Sequence, residues 1–219
     1  MGILSRNIPI QKGASAILFI DVQHYNVYPN GGQYQKEGLN VKEAKDKYHY
    51  FFDTLHSTAL PNMIKLQQAI RDAKIEPLYT VMESLTIDGR DRSLDYKISG
   101  FNIPKDSPDG KVADEIKPIG DEMVFKKSSS SPFISTSIHY ILGNLGVKSL
   151  IICGLLSDQC ISSAVRDACD LGYLVTLVTD ACTTYSKERH EQSIGHIKGY
   201  CRQMTADQLL SEIKMLSKE

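Results

Sequence analysis

Three side chains of complementary chemistry occupy comparable places in this sequence. Asp21 ends the apolar run AILFIDV, Lys127 ends EMVFKK, and Cys160 follows VKSLIICGLLSDQ. A thiol becomes a strong nucleophile only as its thiolate, and a carboxylate within reach can take its proton. Cys160 opens a helix-like stretch, where unpaired backbone N–H groups and the helix dipole favour an anion. A nearby ammonium would lower the thiol pKa further, and the N–H groups of the same turn could hold a developing oxyanion. An acid that ends an apolar strand needs a partner if it is buried, which Lys127 could supply. The other cysteines read as ordinary core thiols. Cys153 lies inside a strand, Cys169 is mid-helix, and neither Cys182 nor Cys201 has an acid and an amine to place beside it.

The elements that must bring these groups together follow from the apolar pattern. Strand-like runs fall at 16–22, 75–83, 122–127, 147–154 and 173–180, with a short sixth at 200–204. Helical spacing fills 61–74 (with Pro61 at its start), 134–145, 161–171 and 186–199. Thr205 and Gln208 form a capping-box pattern that opens a final helix. The alternation predicts an α/β fold, a doubly wound and mainly parallel sheet with helices on both faces. Parallel strands expose their carboxyl ends on one rim, where ligands bind, so the three groups should share that rim. Residues 28–60 read as an insertion, part helix, and 84–121 as an aperiodic connection. Connections this long serve as lids, binding loops or oligomer contacts.

The chain has 219 residues, 42% apolar and 23% charged, with a formal net charge of −1. That suits a single domain spanning 1–219 and gives no sign of nucleic-acid binding. No apolar run approaches a membrane span of ~20 residues. The MGILSRNIPI start is too polar for a signal peptide, and Arg6 stands where an acylation motif needs Ser or Thr. A cytoplasmic chain is expected. Five unevenly spaced cysteines argue against a disulfide framework or a zinc knuckle.

At the chemical residues the sequence resembles the isochorismatase-like cysteine hydrolase family, over roughly residues 14–205. LFIDVQ resembles the strand that ends in the family's catalytic Asp. FKKSSSSPF with Thr136 resembles its lysine block, where counting back from Phe133 selects Lys127 over Lys126. ICGLLSDQCISSAVRDACDLGY resembles the nucleophile block. The resemblance implies Asp21, Lys127 and Cys160 as a triad, with a cis peptide between Leu155 and Leu156 and an oxyanion held by the N–H groups of Leu156 and Cys160. It implies no organic cofactor, and a homo-oligomer, since oligomers are common in the family. Nicotinamidases of this family bind a metal through an Asp and several His near the second strand. YTVMESLTIDGRDRSLDYK contains no His, so no metal is expected.

GRDRSLDYK and KSSSSPFISTSI are similar to ureidoacrylate and related ureide hydrolases. The expected function is therefore cysteine-dependent hydrolysis of a small amide or ureide C–N bond. Asn26, Glu83 and Phe133, near the first, second and third strand ends, are the candidate substrate-binding residues, and Tyr25 and Tyr185 could wall the site. Arg90 and Arg92 are either carboxylate-binding residues or surface loop arginines. Two other functions remain open: vinyl-ether hydrolysis of an isochorismate-like acid with Asp21 as general acid, and a catalytically silent binding or assembly module.

Overall fold

Ser15–Ile20 (β1) is buried at every position, as a strand covered on both faces must be. In this computed structural model, which describes residues 5–216, β1 is one of two central strands. The others are Glu76–Met82 (β2), Met123–Lys127 (β3), Ser149–Leu155 (β4), Leu174–Thr183 (β5) and Arg202–Met204 (β6). Their order is β3-β2-β1-β4-β5-β6, and every neighbouring pair is parallel, a stricter arrangement than the mainly parallel sheet expected.

The 28–60 segment is far more helical than its composition suggests. After His24–Val27 (α1) it forms Gly32–Lys36 (α2), Val41–Lys47 (α3) and His49–Thr54 (α4). Asn40 and Glu43 cap α3 reciprocally. A π-helical turn, Leu55–Ala59, then joins α4 directly to Leu60–Asp72 (α5). Pro61 therefore does not mark a chain break. It sits where the i→i−4 ladder is already interrupted, so its missing N–H is tolerated.

Leu94–Ile98 (α6) is the longest helix of the 84–121 connection. The helix predicted over 134–145 is split into Pro132–Ser135 (α7) and Ile138–Asn144 (α8). Thr136 adopts an extended conformation between them, where its hydroxyl donates to Pro132 O and accepts from Ile138 N, serving both ends. Ser162–Asp170 (α9), Lys187–Ile197 (α10) and Ala206–Leu216 (α11) complete the chain.

Crossovers between parallel strands are right-handed. From β1 through α5 to β2 the chain moves one way across the sheet; from β4 through α9 to β5 it moves the other way. The two helices therefore lie on opposite faces. α11 packs with α5, while α10 packs with α9. The strand order reverses between β1 and β4, and a crevice opens at their carboxyl ends. No helix among the described residues is long and apolar enough to cross a membrane. The Met1–Gly2 start, read above against lipidation, lies outside the described residues.

Candidate active site

Asp21, Lys127 and Cys160 reach the same rim from three strands. Ile20 pairs with Gly154 across the switch point, and Met82 pairs with Lys127 on the other side of β2. Asp21 leaves β1 with φ of 55° and donates its N–H to Thr80 O at 3.0 Å. Gly154 has φ of 124°, and a Cβ there would collide with the Ile20 backbone. The Leu155–Leu156 peptide is cis. Cys160 lies in a π-helical turn, Ser157–Ile161, that precedes α9 rather than in the first α-helical turn expected. α10 holds that turn: Ser193 donates to Ser157 O at 2.7 Å, and His190 Nδ1 lies 2.8 Å from Ser157 Oγ.

Lys127 is 0% exposed. Its Nζ is 2.8 Å from Asp21 Oδ2, donates to Ser129 O at 2.9 Å and lies 3.3 Å from Cys160 Sγ. An ammonium has three donors, and these three partners account for them. Asp21 Oδ1 accepts from Thr80 Oγ1 at 2.9 Å, whereas Oδ2 faces the Lys127 ammonium. Strand alternation separates the two lysines: Lys126 points the other way and pairs with Glu83 at 2.7 Å.

Burial governs the titration of this cluster. It pushes the Asp21 carboxyl up, against the pull of Lys127. It opposes the Lys127 charge as well, but the combined attraction of Asp21, Cys160 and Tyr96 prevails and raises that pKa. Burial also drives the Cys160 thiol up to about 12, although Lys127 pulls the other way. The lowered thiol pKa expected from sequence is thus corrected. The ammonium is already paired with Asp21, and Cys160 is 4% exposed, conditions that favour the neutral thiol.

Asp21 and Cys160 open onto a cavity of about 700 Å³. Asn26, Leu155 and Leu156 line it, as do Tyr25 and Tyr185. Asn26 donates to Asp21 O at 3.1 Å, and its Oδ1 is buried without a partner among the described residues. Glu83 and Phe133, two of the expected substrate-binding residues, do not line this cavity. On β2 it is Met82 that faces the cavity, so the next residue must point away. Glu83 instead accepts from Lys126 and from Asp106 N at 2.8 Å. Phe133 lies on α7 and packs against Tyr173 at 6.1 Å.

The arginines are loop residues. Arg90 pairs with Asp88 at the surface, and Arg92 donates to Gly89 O and Phe101 O at 2.7 and 2.6 Å. Sequence reasoning missed Tyr96, whose OH is 3.4 Å from Lys127 Nζ and 3.9 Å from Cys160 Sγ. The available signal was Ser93, which caps α6 through Tyr96 N. It also missed Lys36 and Gln33 of α2, both in the cavity wall. The two long connections thus line the cavity, one through α2 and the other through Tyr96 and Phe101.

Residues 15–209 match the isochorismatase domain family. Over 74 residues the chain is 35% identical to YddQ, an uncharacterized isochorismatase family protein of Bacillus subtilis, a stretch covering 34% of this chain and 41% of that one. It is 21% identical over 222 residues to ureidoacrylate amidohydrolase RutB of Rhizobium rhizogenes, covering 89% and 85% of the two chains. A cysteine hydrolase from Pseudomonas syringae superposes with a TM-score of 0.80 at 20% identity, over 99% of this chain and 100% of the other. With a family match running from the first strand to the last helix, the chain belongs to the isochorismatase domain family.

Proposed function

We propose that this protein is a cysteine-dependent hydrolase of a small amide or ureide C–N bond. The observation that carries this reading is the buried cluster in which Lys127 contacts both Asp21, at 2.8 Å, and Cys160, at 3.3 Å, beside a cavity. An unpaired Asp21 would be costly in such a place, and a lysine spent only on neutralising it need not touch sulfur. Relatives that include an amidohydrolase support the same class.

In the first half-reaction Cys160 Sγ attacks the substrate carbonyl carbon while the Asp21 carboxylate, held by Lys127, accepts the thiol proton. The N–H groups of Leu156 and Cys160 hold the oxyanion. Lys127 keeps the carboxylate oriented and stabilises sulfur as charge builds on it. Asp21 then returns the proton to the leaving nitrogen, and the C–N bond breaks to release ammonia or an amine. In the second half-reaction water attacks the thioester or thiocarbamate carbon and gives a proton to Asp21. The C–S bond breaks and the thiol is restored. Asn26 Oδ1, a buried acceptor, takes a substrate N–H. A raised thiol pKa is compatible with this scheme because proton transfer accompanies attack and no standing thiolate is required.

The test is a screen of small amides and ureides for ammonia release, with Cys160→Ala as control. Turnover should fall by at least about 10³-fold in the variant. Turnover that survives in Cys160→Ala, as ether hydrolysis driven by Asp21 alone would, or no turnover of any compound, rejects the proposal.

A further inference from the structure

One buried polar group beside the sulfur has no task in the two half-reactions. Tyr96 on α6 is 7% exposed, and its hydroxyl lies 3.9 Å from Cys160 Sγ and 3.4 Å from Lys127 Nζ. A phenol has a single proton to give, and an ammonium has no lone pair to receive it. Lys127 can therefore approach the hydroxyl oxygen only as a donor. Among the described residues, Cys160 Sγ is the one acceptor within reach of the Tyr96 proton. A thiol sulfur is a weak acceptor, whereas a thiolate is a full anion and a strong one. The hydroxyl is placed for a charge that the resting site does not yet carry.

Packing alone does not ask for that oxygen. The Tyr96 ring lies against Phe101 with centroids 4.7 Å apart, a contact that phenylalanine would make equally well. Burial disfavours a hydroxyl without a strong partner, and it also holds the phenol well above its ordinary pKa, so the proton stays on oxygen. The chain fixes the ring from both sides. Ser93 donates its N–H to Ser128 O at 2.9 Å, tying the start of α6 to the residue after Lys127. Arg92 donates to Phe101 O at 2.6 Å and reaches Tyr96 O at 3.5 Å. Tyr96 and Lys127 thus approach the sulfur together.

We propose that Tyr96 is a catalytic residue whose hydroxyl donates a hydrogen bond to the Cys160 sulfur as that sulfur gains negative charge. This deepens the hydrolase reading and rests on it. In the first half-reaction the thiol proton passes to Asp21 while the S–C bond forms, and Tyr96 keeps its own proton. In the second, the C–S bond of the thioester or thiocarbamate breaks and its electron pair stays on sulfur. Tyr96 and Lys127 stabilise that leaving thiolate until Asp21 returns a proton to it. The effect on attack is a net gain, because tenfold more thiolate costs only about threefold in intrinsic nucleophilicity.

The first stage of the test needs no substrate. Wild-type and Tyr96→Phe proteins are treated with iodoacetamide at pH 8.5, and labelling of each cysteine is followed by peptide mass spectrometry. Losing a hydrogen bond to a charged group should leave roughly tenfold less thiolate, so Cys160 should label at least about threefold more slowly. A purely structural role predicts the reverse, since a loosened ring admits reagent to the buried sulfur. Cys182, buried but outside the cavity wall, is the reference, and its rate should not change. The proposal is overturned if Cys160 labels as fast or faster in the variant, if Cys182 slows with it, or if Cys160 takes no reagent in either protein. With any compound found by the amide and ureide screen, kcat should fall about tenfold while KM stays within about twofold. An unchanged kcat also overturns it. Slowed labelling with no compound turned over sustains the hydrogen bond to sulfur and counts against the hydrolase reading alone.

Discussion

Lys127 is the side chain on which the cluster's stability turns, because it is fully buried and all three of its donors are committed. Truncating it to Met would leave Asp21 as a buried carboxyl with no counter-charge. Breaking one member of such a pair costs about 3–5 kcal/mol, whereas removing both leaves no orphaned charge. Lys127→Met should therefore lower stability by roughly 3 kcal/mol in urea unfolding. Adding Asp21→Asn should recover much of that loss without recovering activity. If the double variant is as unstable as the single one, the ion pair is not what holds this region together.

The elements matter through one close crossing. β1 and β4 meet at Ile20 and Gly154, where any side chain at 154 would strike the backbone of Ile20. Gly154→Ala adds an unfavourable φ to that clash, so a stability loss of at least about 2 kcal/mol is expected. A soluble Gly154→Ala protein with wild-type denaturation midpoint would contradict it. This region is also where the sequence is most readable. Asp21, Lys127 and Cys160 each end or follow an apolar run, and parallel topology gathers such ends on one rim. Glu83 shows the limit: a strand end is legible, but which of two adjacent side chains faces the crevice depends on the pleat, and Met82 takes that place. Tyr96 and Lys36 are hidden for another reason. Both lie on five-residue helices inside aperiodic connections, and only tertiary contacts such as Ser93 N to Ser128 O return them to the site. The insertion at 28–60, read as only part helix, hides three short helices behind polar faces.

Across the whole molecule, buried thiols make folding sensitive to alkali. Burial holds Cys160 and Cys182 up at about 12 and lifts Cys153 well above its ordinary value of 9.0. Unfolded, all three would ionise near 9; folded, they keep their protons. Their contribution is complete below pH 9 and is lost progressively between about 9 and 12, by roughly 1.4 kcal/mol per pH unit for each group. Scanning calorimetry under reducing conditions should show the Tm falling as pH rises from 8.5 to 10.5, with a shallower fall in Cys182→Ala. A flat profile would mean the thiols are less enclosed than they are here.

The left-handed backbone at Asp21, with φ of 55°, has a bearing on how its chemistry can be dissected. Asn tolerates that conformation almost as well as Asp, while Ala resists it. Neutralising the acid with Asn therefore removes the proton acceptor and the counter-charge of Lys127 but keeps the backbone of the rim, whereas Ala would add a distorted rim to both losses. The polypeptide itself dictates which control is clean.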